Sequence, residues 1–329
     1  MCDFFLCYTL GSFEAGPERN LMKCVLVRLC FCLVSLVCAL GLGGDELRAQ
    51  APKGAAVYSV GTHPRGVLFD GSNIWVANQG SDTVTKLRAA DGQVLGTFTV
   101  YTSPYGLASD GESIWVTGTG SNSVHRLRAS DGAELEVFGV GSSPEGVAFD
   151  GENIWVANSG SDTVTKLRAA YAIELGVYPA GSGPREVAFF AGHIWVTSTS
   201  AGTLTKLRPD GSLAATFEVG NMPLGMAFDG VHLWVATLGN DSVVKLRVSD
   251  GAVLGTFSVG SSPQYLVFEG GNLWVANRDA GTVTRLRASD GARLGDSPAG
   301  SKPFGLAFDG SHLWVANGDT DTVTKLKAR

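Results

Sequence analysis

The chain has 329 residues, of which 44 are glycine, with 44% hydrophobic and 17% charged residues and a formal charge of −6. So apolar a chain with so few charges is not disordered, and glycine far below one residue in three excludes collagen. The glycine content disfavours a mainly helical protein, and the acidic balance offers nothing global to nucleic acid, which is not expected as a partner.

The first fifty residues are a different kind of sequence. All six cysteines lie at positions 2, 7, 24, 30, 32 and 38, so the remainder forms no disulfide and cysteine says nothing about its redox setting. Lys23 and Arg28 precede an uncharged apolar run from Leu29 to Gly44, followed by Asp45, Glu46 and Ala49-Gln50-Ala51. A basic segment, a short apolar core and an A-x-A site are the parts of a secretory signal. The run is 16 residues, short for a membrane span. Asp3, Glu14 and Glu18 do not suit a signal's basic segment, which points to a translation start at Met22, and Pro52 is a poor neighbour for a cleaved bond. Residues 1–51 are therefore read as a signal peptide region and 52–329 as an exported domain, periplasmic or extracellular. The alternative is an uncleaved N-terminal anchor, the only route to a membrane in this sequence.

Self-similarity dominates everything after position 51. The seven tryptophans, Trp75, Trp115, Trp155, Trp195, Trp234, Trp274 and Trp314, are spaced 40, 40, 40, 39, 40 and 40 residues apart. In the first copy the chain predicts a strand at 66–69, an Asp70-Gly71 turn, a strand at 74–77, a turn at 80–82, a strand at 83–88, an Asp91-Gly92 turn and a strand at 94–100. The first two strands are apolar on both faces, so both faces are expected to be buried. Seven four-stranded antiparallel units describe an all-β, seven-bladed β-propeller. The last copy lacks a fourth strand, while Ala56 to Val60 aligns with Gly96 to Val100. The N-terminal strand is therefore expected to complete the last blade, which removes exposed sheet edges. Pro179 and Pro298 in fourth strands place that strand outermost, which leaves the first strand to line the axis.

Trp-Val-Ala-Asn at 75–78, 155–158, 274–277 and 314–317, with the preceding Pro-x-Gly-Val/Leu-Ala-Phe-Asp run, resembles the bacterial repeat propellers of the YVTN and NHL types over 55–329. Those families include enzymes, sensors and passive scaffolds, so the resemblance implies fold rather than reaction. A more distant resemblance is to streptogramin lyase-like propellers and lactonases. It implies a His/Glu pair with a divalent metal, or a set of calcium ligands, on one face. Here the lyases' Trp-Phe-Thr-Glu strand reads Trp-Val-Ala-Asn, and that face offers only His63 with Glu145 or Glu186.

Seven identical placements mark the tryptophans as inter-blade packing rather than a sugar platform. Each third strand carries a basic pair such as Lys86/Arg88. A ring of cations suits an acidic polymer, but the plainer reading packs the stems beside the outer strand, with the heads in water near acids. His193, His232 and His312 stand at a strand start, and His125 replaces a strand threonine. No H-E-x-x-H or G-x-S-x-G motif exists.

Among identical blades, function belongs to departures from the repeat. The residue after the loop proline varies most, as Arg65, Tyr105, Glu145, Arg185, Leu224, Gln264 and Phe304. All seven are expected around the channel mouth. The following glycine is replaced by Glu186 and Tyr265, and Arg278 stands out after Trp-Val-Ala-Asn. Arg65 and Arg185 are placed to fork a carboxylate, with Tyr105, Tyr265 and Phe304 as stacking area. The favoured expectation is a non-enzymatic scaffold that binds a protein or small polar ligand at this mouth. It assigns no catalytic residue, no metal and no cofactor. The alternative is a metal-dependent lyase or lactonase.

Overall fold

A computed structural model describes residues 54–100, 103–171 and 173–328, all within the compact unit Gln50–Arg329. The expectations for 1–51 lie outside the described residues. The described residues form 28 strands in seven four-stranded antiparallel sheets, a seven-bladed β-propeller. Strands β2–β5 (64–99) form blade 1, β6–β9 (104–139) blade 2, β10–β13 (144–179) blade 3 and β14–β17 (184–218) blade 4. Blades 5 and 6 are β18–β21 (223–258) and β22–β25 (263–298), and β26–β28 (303–327) belong to blade 7. The fourth strand of blade 7 is β1 (Ala56–Ser59), with Ala56 opposite Lys325 and Ser59 opposite Thr322. The ring closes as its sequence implies, and Tyr58 stacks on Trp314 with centroids 5.5 Å apart.

The core lies between blades. In the second strand of blade 1, Ile74, Trp75, Val76 and Ala77 are fully buried. Trp75 packs with Ile114, Val116 and Leu127 of blade 2, and Trp314 packs with Ile74 and Val76 across the closure. The first strands meet the expectation unevenly, since β18 and β26 are buried at every position but the last. After Pro64, β2 is only half-buried, because one side of the innermost strand faces the axial channel instead of a neighbour.

The Asp-Gly turn does more than reverse the chain. Asp70 accepts the backbone N–H groups of Ser72 at 2.9 Å and Asn73 at 2.6 Å, and the indole N–H of Trp75 at 2.7 Å. Asp110, Asp150, Asp229 and Asp309 hold their tryptophans the same way. Blade 4 has no such aspartate, and Trp195 donates to the Phe190 carbonyl at 3.2 Å.

The basic pairs split, which corrects the expectation that both heads sit in water. Lys86 pairs opposite Trp75 in the register, so it shares the inter-blade face. Its ammonium donates to the carbonyls of Ala129 and Ser130 in blade 2. Arg88, at the end of the strand, meets exposed Asp91 at 3.0 Å. Lys166, Lys206, Lys245 and Lys325 bond to the following blade in the same way, while Arg126 turns to Ser113 and Glu136 of its own blade, so the acidic-polymer ring loses these cations. His232 and His312 head their strands beside Asp229 and Asp309, a structural placement. His125 bridges Ser123 at 3.1 Å and Glu134 at 2.6 Å, where other blades join an asparagine to two threonines, as Asn78 does with Thr83 and Thr85.

Candidate functional site at the channel mouth

The site begins with a bulge. In every innermost strand the register shifts just after the loop proline, between Pro64 and Val67 in blade 1 and at the matching place in the others. A bulge re-aims side chains, and here it turns the variable residue upward. In blade 1 this residue must be glycine, since a Cβ on Gly66 would lie 2.4 Å from the carbonyl oxygen of Tyr105, whereas blades 4 and 6 place Glu186 and Tyr265 there.

The seven variable residues, Arg65, Tyr105, Glu145, Arg185, Leu224, Gln264 and Phe304, all line one cavity of about 510 Å³. Residues of the second loop, including Gln79, Ser159 and Arg278, complete its rim. The other two candidates point elsewhere. Glu186 and Tyr265 line a smaller chamber of about 200 Å³ further along the axis. Tyr105 lines both spaces and partitions them. His63 does not line the cavity; its backbone N–H donates to Asp321.

Two expectations about this mouth are corrected. Arg185 does not wait for a ligand carboxylate, because Glu145 already lies 2.5 Å from it. Glu145 is buried, also accepts from Ser159 at 3.0 Å and takes the Tyr105 hydroxyl. Burial alone would lower the Arg185 guanidinium, but Glu145 outweighs it and holds it up, so the cation persists. Nor do the aromatics offer free faces. Tyr105 meets Phe304 edge-on at 5.6 Å, and Tyr265 meets Phe304 at 5.3 Å. Phe304 and Tyr105 are 4% and 7% exposed. These rings come from blades 2, 6 and 7 and fill the axis, which is the apolar surface available to them there.

What remains open is cationic. The Arg65 guanidinium lies 4.7 Å over the Phe304 ring and donates through Nε to Gln79 at 2.8 Å. Among the described residues it forms no ion pair. Burial first, and then nearby Arg278, lower its affinity for its proton, although a guanidinium stays charged. Arg278 meets only its neighbour Asp279, at 3.9 Å, and Asp319 is engaged by Lys302 at 3.3 Å. Two arginines thus share a wall of the cavity, Arg65 without an ion pair among the described residues and Arg278 with only the long 3.9 Å contact to Asp279. Among the described residues, no three His, Cys, Asp or Glu side chains converge as metal ligands.

No protein-family model and no curated protein matches the chain. Solved structures do. The chain is similar to virginiamycin B lyase from Staphylococcus aureus at 18% identity and a TM-score of 0.74, over 84% of this chain and 99% of that one. Hydrazine synthase of Kuenenia stuttgartiensis aligns at 18% identity and a TM-score of 0.74, over 87% and 98%. The RRP9 WD40 repeats align at 15% identity and a TM-score of 0.75, over 85% and 99%. Lyase-like and WD40 propellers thus share this architecture, and at these identities the likeness is one of fold.

Proposed function

We propose that this propeller is a binding protein whose mouth cavity takes an anionic organic ligand or the acidic end of a peptide. The supporting observation is the cavity itself. Its wall is built from the positions at which the blades differ most, on a scaffold of seven four-stranded blades. A volume of about 510 Å³ is typical of small-molecule sites. Arg65 and Arg278 supply planar donors suited to a carboxylate or phosphate. A WD40-like neighbour is consistent with protein recognition at the same face. Residues 1–51 are proposed to direct export, which N-terminal sequencing of secreted material tests: an intact Met1 would overturn it.

Thermal unfolding of the protein against carboxylated metabolites, lactones, sugars, acidic peptides and divalent metals tests the binding reading. An anion at 100 times its dissociation constant adds about 2.7 kcal/mol of stability. A response to metals and lactones but to no anion would turn the reading toward a lyase or lactonase.

A further inference from the structure

We propose that the axial chamber beyond the mouth is a second site, separate from the mouth cavity, that takes a small organic cation of the alkylammonium class. At this level of the ring five blades contribute only glycine: Gly66, Gly106, Gly146, Gly225 and Gly305. Blades 4 and 6 contribute Glu186 and Tyr265. The two meet across blade 5, where a Cβ on Gly225 would lie 2.7 Å from the Tyr265 Cα. Apart from Tyr105 the rest of the wall is apolar, with Val67, Leu107, Val147 and Leu266 among it.

Glu186 is the one carboxyl in this wall. Its side-chain partner is the Tyr265 hydroxyl, a neutral donor. The titratable groups that face it are Tyr265, Tyr105 and Glu145, none of them a cation. Arg185, its neighbour in sequence, turns to Glu145 instead. Among the described residues Glu186 has no ion-pair partner. A carboxylate so placed is costly without a counter-charge, and an entering ammonium supplies one.

Size and ligand chemistry narrow the class. A cavity of roughly 150 Å³ holds benzene, so about 200 Å³ accepts a small alkylammonium. Calcium or magnesium needs about six oxygen ligands, and a mostly apolar wall with one carboxyl does not provide them.

Burial pushes the Glu186 carboxyl up to about 8; the Tyr265 hydrogen bond opposes this and the Glu145 charge adds to it. At pH 7 the carboxyl is therefore mostly protonated in the empty chamber. A bound ammonium ionises it, and the proton leaves to solvent. Apparent affinity then weakens tenfold per pH unit below that value and levels off above it.

The test is calorimetric titration of the full chain with methylammonium, trimethylammonium and cyclohexylammonium chlorides. It is run at pH 7 in two buffers of different ionisation enthalpy, then at pH 6 and 9. Saturable binding of at least one probe, release of close to one proton and the stated pH dependence are expected. Glu186→Gln, whose amide matches a protonated carboxyl in shape, should abolish the binding. No binding of any probe, binding without proton release, or unchanged binding in Glu186→Gln would overturn the proposal.

Discussion

The ammonium of Lys86 stands 4.9 Å from the centre of the Trp75 ring and donates at 2.7 Å to the carbonyl of Ala129 in the next blade. The contact recurs around the ring, with Lys166, Lys206, Lys245 and Lys325 each over its tryptophan and bonded to the following blade. Lys86→Met keeps the stem but loses the charge and both hydrogen bonds. It should cost about 1–3 kcal/mol in denaturant unfolding. Arg88→Ala breaks only an exposed pair and should stay within about 0.5 kcal/mol. Equal costs would refute the split between the two positions.

Closure of the ring rests on a short strand. Tyr58→Ala removes the ring stacked on Trp314 and leaves the space beside a buried indole. A loss of about 2–4 kcal/mol is expected from urea titration. A neutral result would mean that β1 does not hold the last blade shut.

The fold was legible because its signal repeats. Seven tryptophans at one spacing, and a strand before the first unit that matches the missing fourth strand, specify both blade number and closure. In the first unit the inner two strands are longer than expected, Pro64–Phe69 against 66–69 and Asn73–Asn78 against 74–77, the third matches at Thr83–Arg88, and the fourth ends one residue early at Thr99. The mouth positions were legible for the same reason, as departures from a constant unit. Their partners were not. Tyr105 and Phe304 meet across the ring from distant parts of the chain, and no local pattern reports which blades face each other. Lys86 was a near miss, since antiparallel register alone sets it beside Trp75. The aspartate five residues before the tryptophan recurs in five units, a signal that reading Asp-Gly only as a turn overlooks.

That aspartate should make the fold acid-sensitive. Burial would raise the Asp70 carboxyl, but the hydrogen bonds from Trp75, Asn73 and Ser72 outweigh it and hold it low. Asp229 and Asp309 are held low in the same way. A carboxyl depressed in the folded state stabilises above its unfolded value, near 3.9, and that contribution is lost as pH falls through the folded value. Asp70→Asn should therefore be less stable than the parent at pH 6, and the gap should narrow as pH falls below about 3.9. A constant difference across that range would assign the loss to shape rather than charge.

Glu186 has the opposite sign. Its folded-state value is raised to about 8 by burial, so its ionisation opposes folding. Stability should decline as pH rises from about 4 toward 8 and then level off. Glu186→Gln, which cannot ionise, should match the parent near pH 4 and exceed it at pH 8. Urea midpoints at pH 4, 6 and 8 measure this, and a variant weaker than the parent at pH 8 would contradict it.

The most direct measurement of the mouth as a binding site is calorimetric titration of the best-stabilising anion against the parent protein and an Arg65→Ala/Arg278→Ala double variant. Each charge-assisted hydrogen bond contributes about 1.5–3 kcal/mol, so the double variant should bind at least tenfold more weakly while unfolding at a similar denaturant concentration. Equal affinity in the two proteins would place the ligand elsewhere and contradict the assignment of the mouth cavity.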